Sequence, residues 1–324
     1  MPTALLRHAL RGMMVLLGVV TLTFLLLRMA PGNPALLLLG PNAGPEQVAV
    51  QERALGLDRP LPVQYGAWLT AFATGDWGRS IATGRPVRQM IGDAWPATLW
   101  LVGTSLLLSF LLGTTIGAVQ SSRSGSRLDT ALSVGTVTLF AMPSYWLALL
   151  LVLVFSYGLQ WLPAFGAAGL DADFLSPGAR LLDALRHAAL PLVTLTLIGV
   201  GGIARYVRAA MLDVRGLPFV NVARAKGIAE ARVTRRHVLR NALVPVVILL
   251  GLSLPALFSG AVFIEAIFAW PGVGRVLVQA VQARDYPVVM AAVAVSAALV
   301  VAGNMLADVL AALVDPVRRE SESA

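Results

Sequence analysis

Cysteine does not occur anywhere in this 324-residue sequence. That excludes a disulfide framework, a thiolate metal site and a cysteine nucleophile. Charge is scarce as well: Asp, Glu, Lys and Arg make up 13% of the chain, against roughly 25% in a soluble domain. The three histidines, His8, His187 and His237, lie in or beside polar flanks, and none stands at metal-ligand spacing from another. No Gly-x-x-x-x-Gly-Lys-Ser/Thr loop is present to cradle a nucleotide, and "GVGRV" at 272–276 is too short to serve as one. There is no serine-centred nucleophile elbow, and no acid pair at a catalytic spacing falls within the apolar stretches. An enzyme is therefore not expected. Neither is a metal or cofactor held by this chain, and if ATP drives the protein, another chain binds it.

Apolar residues fill the space that charge leaves. They account for 57% of the chain, and the mean hydropathy is +0.76, values that indicate a polytopic membrane protein. Six stretches stand out: Gly12–Leu27, Ala97–Val119, Ala131–Tyr157 with Pro143 inside it, and about Ala188–Ala204 with Pro191 and Gly199, Gly201 and Gly202. The fifth is Ala242–Ile264, with Pro245 and Pro255, and the sixth is Val288–Val314, with Asn304 and Asp308 near its end. With flanking residues they give spans of approximately 10–29, 97–119, 131–157, 188–209, 242–264 and 288–314. About 20 helical residues cross roughly 30 Å of hydrocarbon. Backbone polar groups must be satisfied within the segment, so these are helices, kinked where Pro and Gly intervene. Arg28-Met29-Ala30-Pro31 is a poor cleavage site, so the first stretch reads as a retained span and not as a signal peptide.

Orientation follows from the short loops. With the N-terminus inside, the inner segments hold Arg7, Arg11, Arg123, Arg127, nine basic residues from Arg205 to Arg240, and Arg318 and Arg319, fifteen in all. The short outer loops hold four: Arg180, Arg186, Arg275 and Arg284. This bias predicts both termini in the cytoplasm. Residues 30–96 then form an extracytoplasmic insert rich in Pro and Gly, in which "PEQVAVQERALGL" at 45–57 reads as a short amphipathic helix. Trp68, Trp77, Trp95 and Trp161 suit anchoring at a membrane interface. Glu265 and Asp308 fall toward the edges of their spans, where snorkelling or pairing accounts for them.

One segment breaks the apolar pattern. "NVARAKGIAEARVTRRHVLRNALVP" (221–245) carries six cations against one acid, Glu230. Gly216 ends an inward extension of the fourth span, and Pro218 suits a first helical turn. "FVNVARAK" makes about two turns, with Val222 and Ala225 on one face. Gly227 can end that helix in the left-handed region, with Arg224 and Lys226 at the negative end of its dipole. A second helix starts near Ala229 and runs into the fifth span, with Arg232, Arg236 and Arg240 on one face. Positive-inside topology and attraction to acidic lipid explain the sign of the charge. Nucleic-acid binding is disfavoured because both ends are tied to membrane helices and aromatics are not interleaved. A compact helix–Gly–helix with cationic edges is better suited to docking in a protein groove.

At this segment the sequence resembles the inner-membrane permeases of ABC importers. Their cytoplasmic EAA loop reads E-A-A, three residues, then Gly; here the corresponding residues are Asn221-Val222-Ala223 and Gly227, of which Ala223 and Gly227 match. The likeness to one branch, the B-type subunits of dipeptide/oligopeptide/nickel permeases, is closer. It rests on "ARAKG" followed by "RRHVLRNALVPV", and on "LLRMAPGNPA", "LGLDRPLPVQY", "GDWGRSIATGRPV", "PATLWL", "AMPSYW", "WLPAFG", "FAWPGVGRVLVQAVQARDYPVV" and the terminal "DP", nearly the whole chain.

The resemblance implies an all-α, six-helix type I importer permease fold in a bacterial inner membrane, serving peptides or related small solutes. It implies a heterodimer with a second, C-type permease, two cytoplasmic ATPase subunits that bind ATP and Mg, and an extracytoplasmic solute-binding protein. Residues 213–241 become the ATPase-coupling loop. Its residues are Asn221, Val222, Ala223, Arg224, Ala225, Lys226, Gly227 and Ile228, with Ala223–Gly227 as the docking turn. His237, Arg240, Asn241 and Pro245 shape the return into the fifth span. A stand-alone secondary transporter or channel is the competing reading; it would normally need a deep, partnered carboxylate, and none is evident.

Overall fold

The computed structural model describes residues 2–29, 34–40, 42–243, 246 and 261–314. Among these residues the fold is helical, and the one β pairing is an isolated bridge between Arg79 and Pro86. In chain order come α1 (Pro2–Met29), α2 (Pro34–Leu39), α3 (Pro45–Ala54), α4 (Leu61–Ala73), α5 (Val87–Ser122) and α6 (Arg127–Ala141). Next are α7 (Ser144–Leu151), which continues as a π-helix over Val152–Gly158, and α8 (Pro177–Arg215). Then α9 (Pro218–Ala225) precedes α10 (Glu230–Arg232), which continues as a π-helix over Val233–Leu239. The last two are α11 (Val273–Gln282) and α12 (Tyr286–Val314).

Among the described residues, four stretches are long and apolar enough to cross a membrane alone: Leu10–Met29, Val87–Ser122, Pro177–Arg215 and Tyr286–Met305. A fifth candidate is the pair Arg127–Ala141 and Ser144–Gly158, bent by 106°. The third expected span is thus two pieces instead of one kinked rod. Met142 and Pro143 take extended ψ values of 128° and 134°, because proline lacks the amide that would continue the helix and disfavours helical geometry in the residue before it. Pro96 and Pro191 lie within uninterrupted α5 and α8. Both helices outrun their apolar cores, so α5 starts at Val87 and α8 covers Pro177–Arg215. The fifth expected span, 242–264, lies mostly outside the described residues, as does Pro245.

The chain divides into two compact units. One contains Leu5–Thr98 and Pro271–Val301. Its core holds Val87, Ile91, Ala94, Val273, Ala280 and Val288, with a second cluster of Val20, Phe24, Met290 and Ala294. Trp68 and Trp77 lie in an aromatic ladder, Phe24–Tyr65–Trp68–Phe72–Trp77, with centroids 5.0 to 6.4 Å apart. The insert is fastened by Asp285, which is 2% exposed. Its carboxylate accepts hydrogen bonds from the Ser80 hydroxyl and from the Ile81 and Ala82 amides, the latter at 3.1 and 3.2 Å.

The other unit centres on Leu99–Trp270, and small residues let its helices approach closely. A Cβ on Gly117 would lie 2.6 Å from the Ala204 carbonyl oxygen, and one on Gly201 2.8 Å from the Thr136 carbonyl oxygen. Ser109 Oγ donates to the Thr196 carbonyl at 3.0 Å. Glu265, expected near an interface, is fully buried in this unit. Gly117→Leu is expected to lower the thermal unfolding temperature in detergent by several degrees, since overpacking costs about 1–3 kcal/mol. Gly103→Leu, at a position where a Cβ meets nothing within 4 Å, leaves it near the wild-type value.

Candidate functional site

The basic segment folds as a helix, a glycine turn and a second helix. α8 stops at Arg215, and Pro218 opens α9 at its first turn. The end of α9 is a Schellman turn: the Gly227 amide donates to the Arg224 carbonyl at 2.9 Å and the Ile228 amide to the Ala223 carbonyl at 3.4 Å. Gly227 has φ +74°, and a Cβ there would meet nothing within 4 Å. The backbone, not packing, is what requires glycine at this position.

The two faces of α9 differ. Val220 and Ala223 are buried with Ile203, Val207 and Met211 of α8 and with Val233 and Val238, and Ile228 packs at the edge. Ala223 therefore belongs to the chain's own core. The opposite side exposes Leu217, Phe219 and Val222 at 44%, 42% and 53%, with Asn221, Ala225 and Lys226 also exposed. Leu217 and Phe219 escaped the sequence reading because the eye follows the cations. Their available signal was two large apolar residues placed after a glycine break and outside any span.

Polar struts hold the segment. Arg224 donates to both carboxylate oxygens of Glu230, at 3.1 and 2.9 Å, and reaches Asn221 Oδ1 at 3.5 Å. Arg215 donates to the Ser121 carbonyl at 2.6 Å and to Thr234 Oγ1 at 3.2 Å, tying the end of α8 to α5 and to the second helix. Asn241 donates to the His237 carbonyl at 2.6 Å, and the His237 side chain is half-buried. Arg240 lines a cleft with Arg232, Arg235 and Arg236. Lys226 is the only lysine in the chain.

The hydrogen bond from Arg224 holds the Glu230 carboxyl below its usual value of 4.5. A depressed folded pKa means that the pair's contribution is fully present above the unfolded value and is lost as pH falls through the folded one. Protection of the Ile228–Arg232 amides, taken relative to their intrinsic exchange rate at each pH, is accordingly expected to be flat around neutral pH. Glu230→Gln lowers that protection at pH 7, measured by hydrogen–deuterium exchange.

Comparison with known proteins adds the decisive observation. Residues 97–320 match the family described as binding-protein-dependent transport system inner membrane component, and residues 1–102 match the N-terminal part of such membrane components. The chain belongs to this permease family. Among its relatives, the oligopeptide transport system permease protein AppB of Bacillus subtilis is 37% identical over 98% of this permease and 99% of the relative. The glutathione transport system permease protein GsiC of Salmonella typhimurium is 38% identical, covering 94% of each chain. The dipeptide transport system permease protein DppB of Alkalihalophilus pseudofirmus is 34% identical over 93% of this permease and 95% of that one. A chain from the crystal structure of an amino acid ABC transporter with histidines superposes with a TM-score of 0.51, over 69% of this permease and 93% of that chain at 14% identity. That likeness concerns the fold alone. With several apolar helices of spanning length, the permease is a multi-pass membrane protein.

Proposed function

We propose that this permease forms half of the translocation pathway of an ATP-driven bacterial importer for peptides or closely related small solutes. The observation that carries this reading is the nearly end-to-end similarity to permeases named for oligopeptide, glutathione and dipeptide transport. All three cargoes are short peptides, which favours that class over sugars, opines or nickel complexes. In this reading the chain has six spans, one of them the broken α6–α7 pair. Both termini are cytoplasmic and residues 30–96 face outward. The other half of the pathway is a C-type permease. Two ATPase subunits bind ATP and Mg, and a solute-binding protein delivers the cargo.

Energy enters through residues 213–241. The exposed face of α9, with Leu217, Phe219 and Val222 beside Ala225 and Lys226, supports docking in a partner groove. The buried face and the Arg215 and Arg224 struts give that docking a mechanical consequence. A displacement of α9 passes to α8 and to the segment leading into the fifth span, because Val220 and Ala223 share one core with both. Switching a two-state pathway from 1:99 to 99:1 requires a bias of about 5.5 kcal/mol, which a loosely tethered loop would dissipate. Val222→Glu, which places a charge on the docking face, is expected to reduce co-purification of the ATPase subunits by about tenfold or more.

Reconstitution decides between this reading and a stand-alone transporter. Peptide uptake into liposomes is expected only with the ATPases, ATP, the second permease and the binding protein. Uptake by this chain alone contradicts it. Orientation has a separate check, since the native chain offers no cysteine background. Single cysteines at Ser122, Ala179 and Ala229, all exposed, are expected to label from the inside, outside and inside respectively.

A further inference from the structure

We propose that Arg232, Arg235, Arg236 and Arg240 form a binding site for the phosphate headgroup of an anionic membrane lipid. The four side chains line one cleft of about 320 Å³, and all four residues are exposed. Among the described residues none of them pairs with an acid, and the nearest acid in sequence, Glu230, is taken up by Arg224. Four like charges held around one space repel one another unless anionic groups enter it.

The backbone gathers them. Val233–Leu239 is wound as a π-helix, whose i→i+5 bonding turns the chain less per residue, so residues four apart stay nearer one side than in an α-helix. Val233 and Val238 are fully buried at the back of this segment, which fixes the direction in which the arginines fan. The sequence brings the C-terminal end of the fan to headgroup depth: Arg240 comes two residues before Ala242, where the fifth apolar stretch begins. Juxtamembrane basic clusters attract anionic lipid, and planar guanidinium groups match phosphate oxygens in a two-pronged geometry that lysine does not offer. Depth and fork geometry together favour a lipid phosphate over the acidic surface of a protein.

The test uses the full-length chain in phosphatidylcholine vesicles doped with spin-labelled phosphatidylglycerol or spin-labelled phosphatidylcholine. The motionally restricted signal is expected to favour phosphatidylglycerol roughly fivefold or more, since one juxtamembrane arginine alone contributes about a factor of five. Arg232→Gln, Arg235→Gln, Arg236→Gln and Arg240→Gln combined remove most of that preference. Single Arg235→Gln and Arg236→Gln variants, which alter only exposed positions, each lower it measurably. Arg123→Gln with Arg127→Gln, exposed cations at another helix end, lowers it much less than the quadruple variant does. Four results overturn the proposal. They are an unchanged ratio in the quadruple variant, an equal loss in the Arg123/Arg127 control, displacement of the lipid by millimolar inorganic phosphate, or intact lipid preference with lost ATPase co-purification.

Discussion

Gly227→Val is expected to abolish substrate-stimulated ATP hydrolysis in the reconstituted importer while leaving membrane insertion intact. The effect is a backbone one. At φ +74° an L-residue costs about 1–2 kcal/mol, and a β-branched residue is a genuine outlier in that region. The chain can escape the strain only by opening the Schellman turn, which releases the Gly227 and Ile228 amides from the Arg224 and Ala223 carbonyls. That rotates α9 relative to α10 and spoils the alignment of the proposed docking face. Because a Cβ at this position meets open space, substitutions are expected to rank by tolerance of positive φ and not by size. Asparagine retains most of the stimulated activity, alanine less and valine essentially none. Activity falling in order of side-chain volume would instead mean that the position is packed against a partner.

The second large effect lies at the ion pair that clamps α6 to α8. Arg208 Nε and Nη2 donate to the two carboxylate oxygens of Asp129 at 2.8 and 2.9 Å, and Asp129 also accepts the Gly125 amide at 3.0 Å. The side chains are 5% and 32% exposed, for Asp129 and Arg208 respectively. Asp129→Ala strands the guanidinium beside a cavity and frees the turn before α6. Breaking a buried pair costs about 3–5 kcal/mol, and partial exposure of Arg208 moves the expectation to about 2–3 kcal/mol. Thermal unfolding in detergent should show a clear drop for Asp129→Ala. Asp129→Leu combined with Arg208→Met recovers part of it, since replacing both partners by apolar residues removes the stranded charge. No recovery would place the value of Asp129 in the Gly125 contact and not in the pair.

Much of this architecture could be read from the residues, and the parts that could not share a cause. The π segments, the closeness of Gly117 to Ala204 and the pairing of Asp129 with Arg208 all depend on which helix lies against which, and periodicity within one helix does not carry that information. Asp129 sits in the first turn of α6, an ordinary place for an acid. Its partner is 79 residues away. Proline was ambiguous for a related reason: Pro96 borders one apolar run and Pro143 and Pro191 sit inside two others, yet of these three the chain breaks only at Pro143, between helices bent by 106°. By contrast, the helix–Gly–helix was legible because its determinants are local: Pro218 at a helix start, cations in the last turn, and glycine where the chain needs positive φ. What the pattern did not disclose was polarity within α9. Ala223 turns inward to the core, and Leu217, Phe219 and Val222 turn outward.

Lys226 offers the most direct measurement of whether this loop receives the driving force. It caps α9, is exposed, and is the chain's only lysine, so a lysine-directed cross-linker reports on this turn with no other side chain competing. The complete importer, with permeases, ATPases and binding protein co-purified, is treated with a short amine-reactive cross-linker, and the products are mapped by mass spectrometry. The predicted result is a permease–ATPase product joined at Lys226 that disappears in Lys226→Arg. An assembled, ATP-hydrolysing complex in which Lys226 never joins an ATPase subunit, or joins the solute-binding protein instead, would contradict the account.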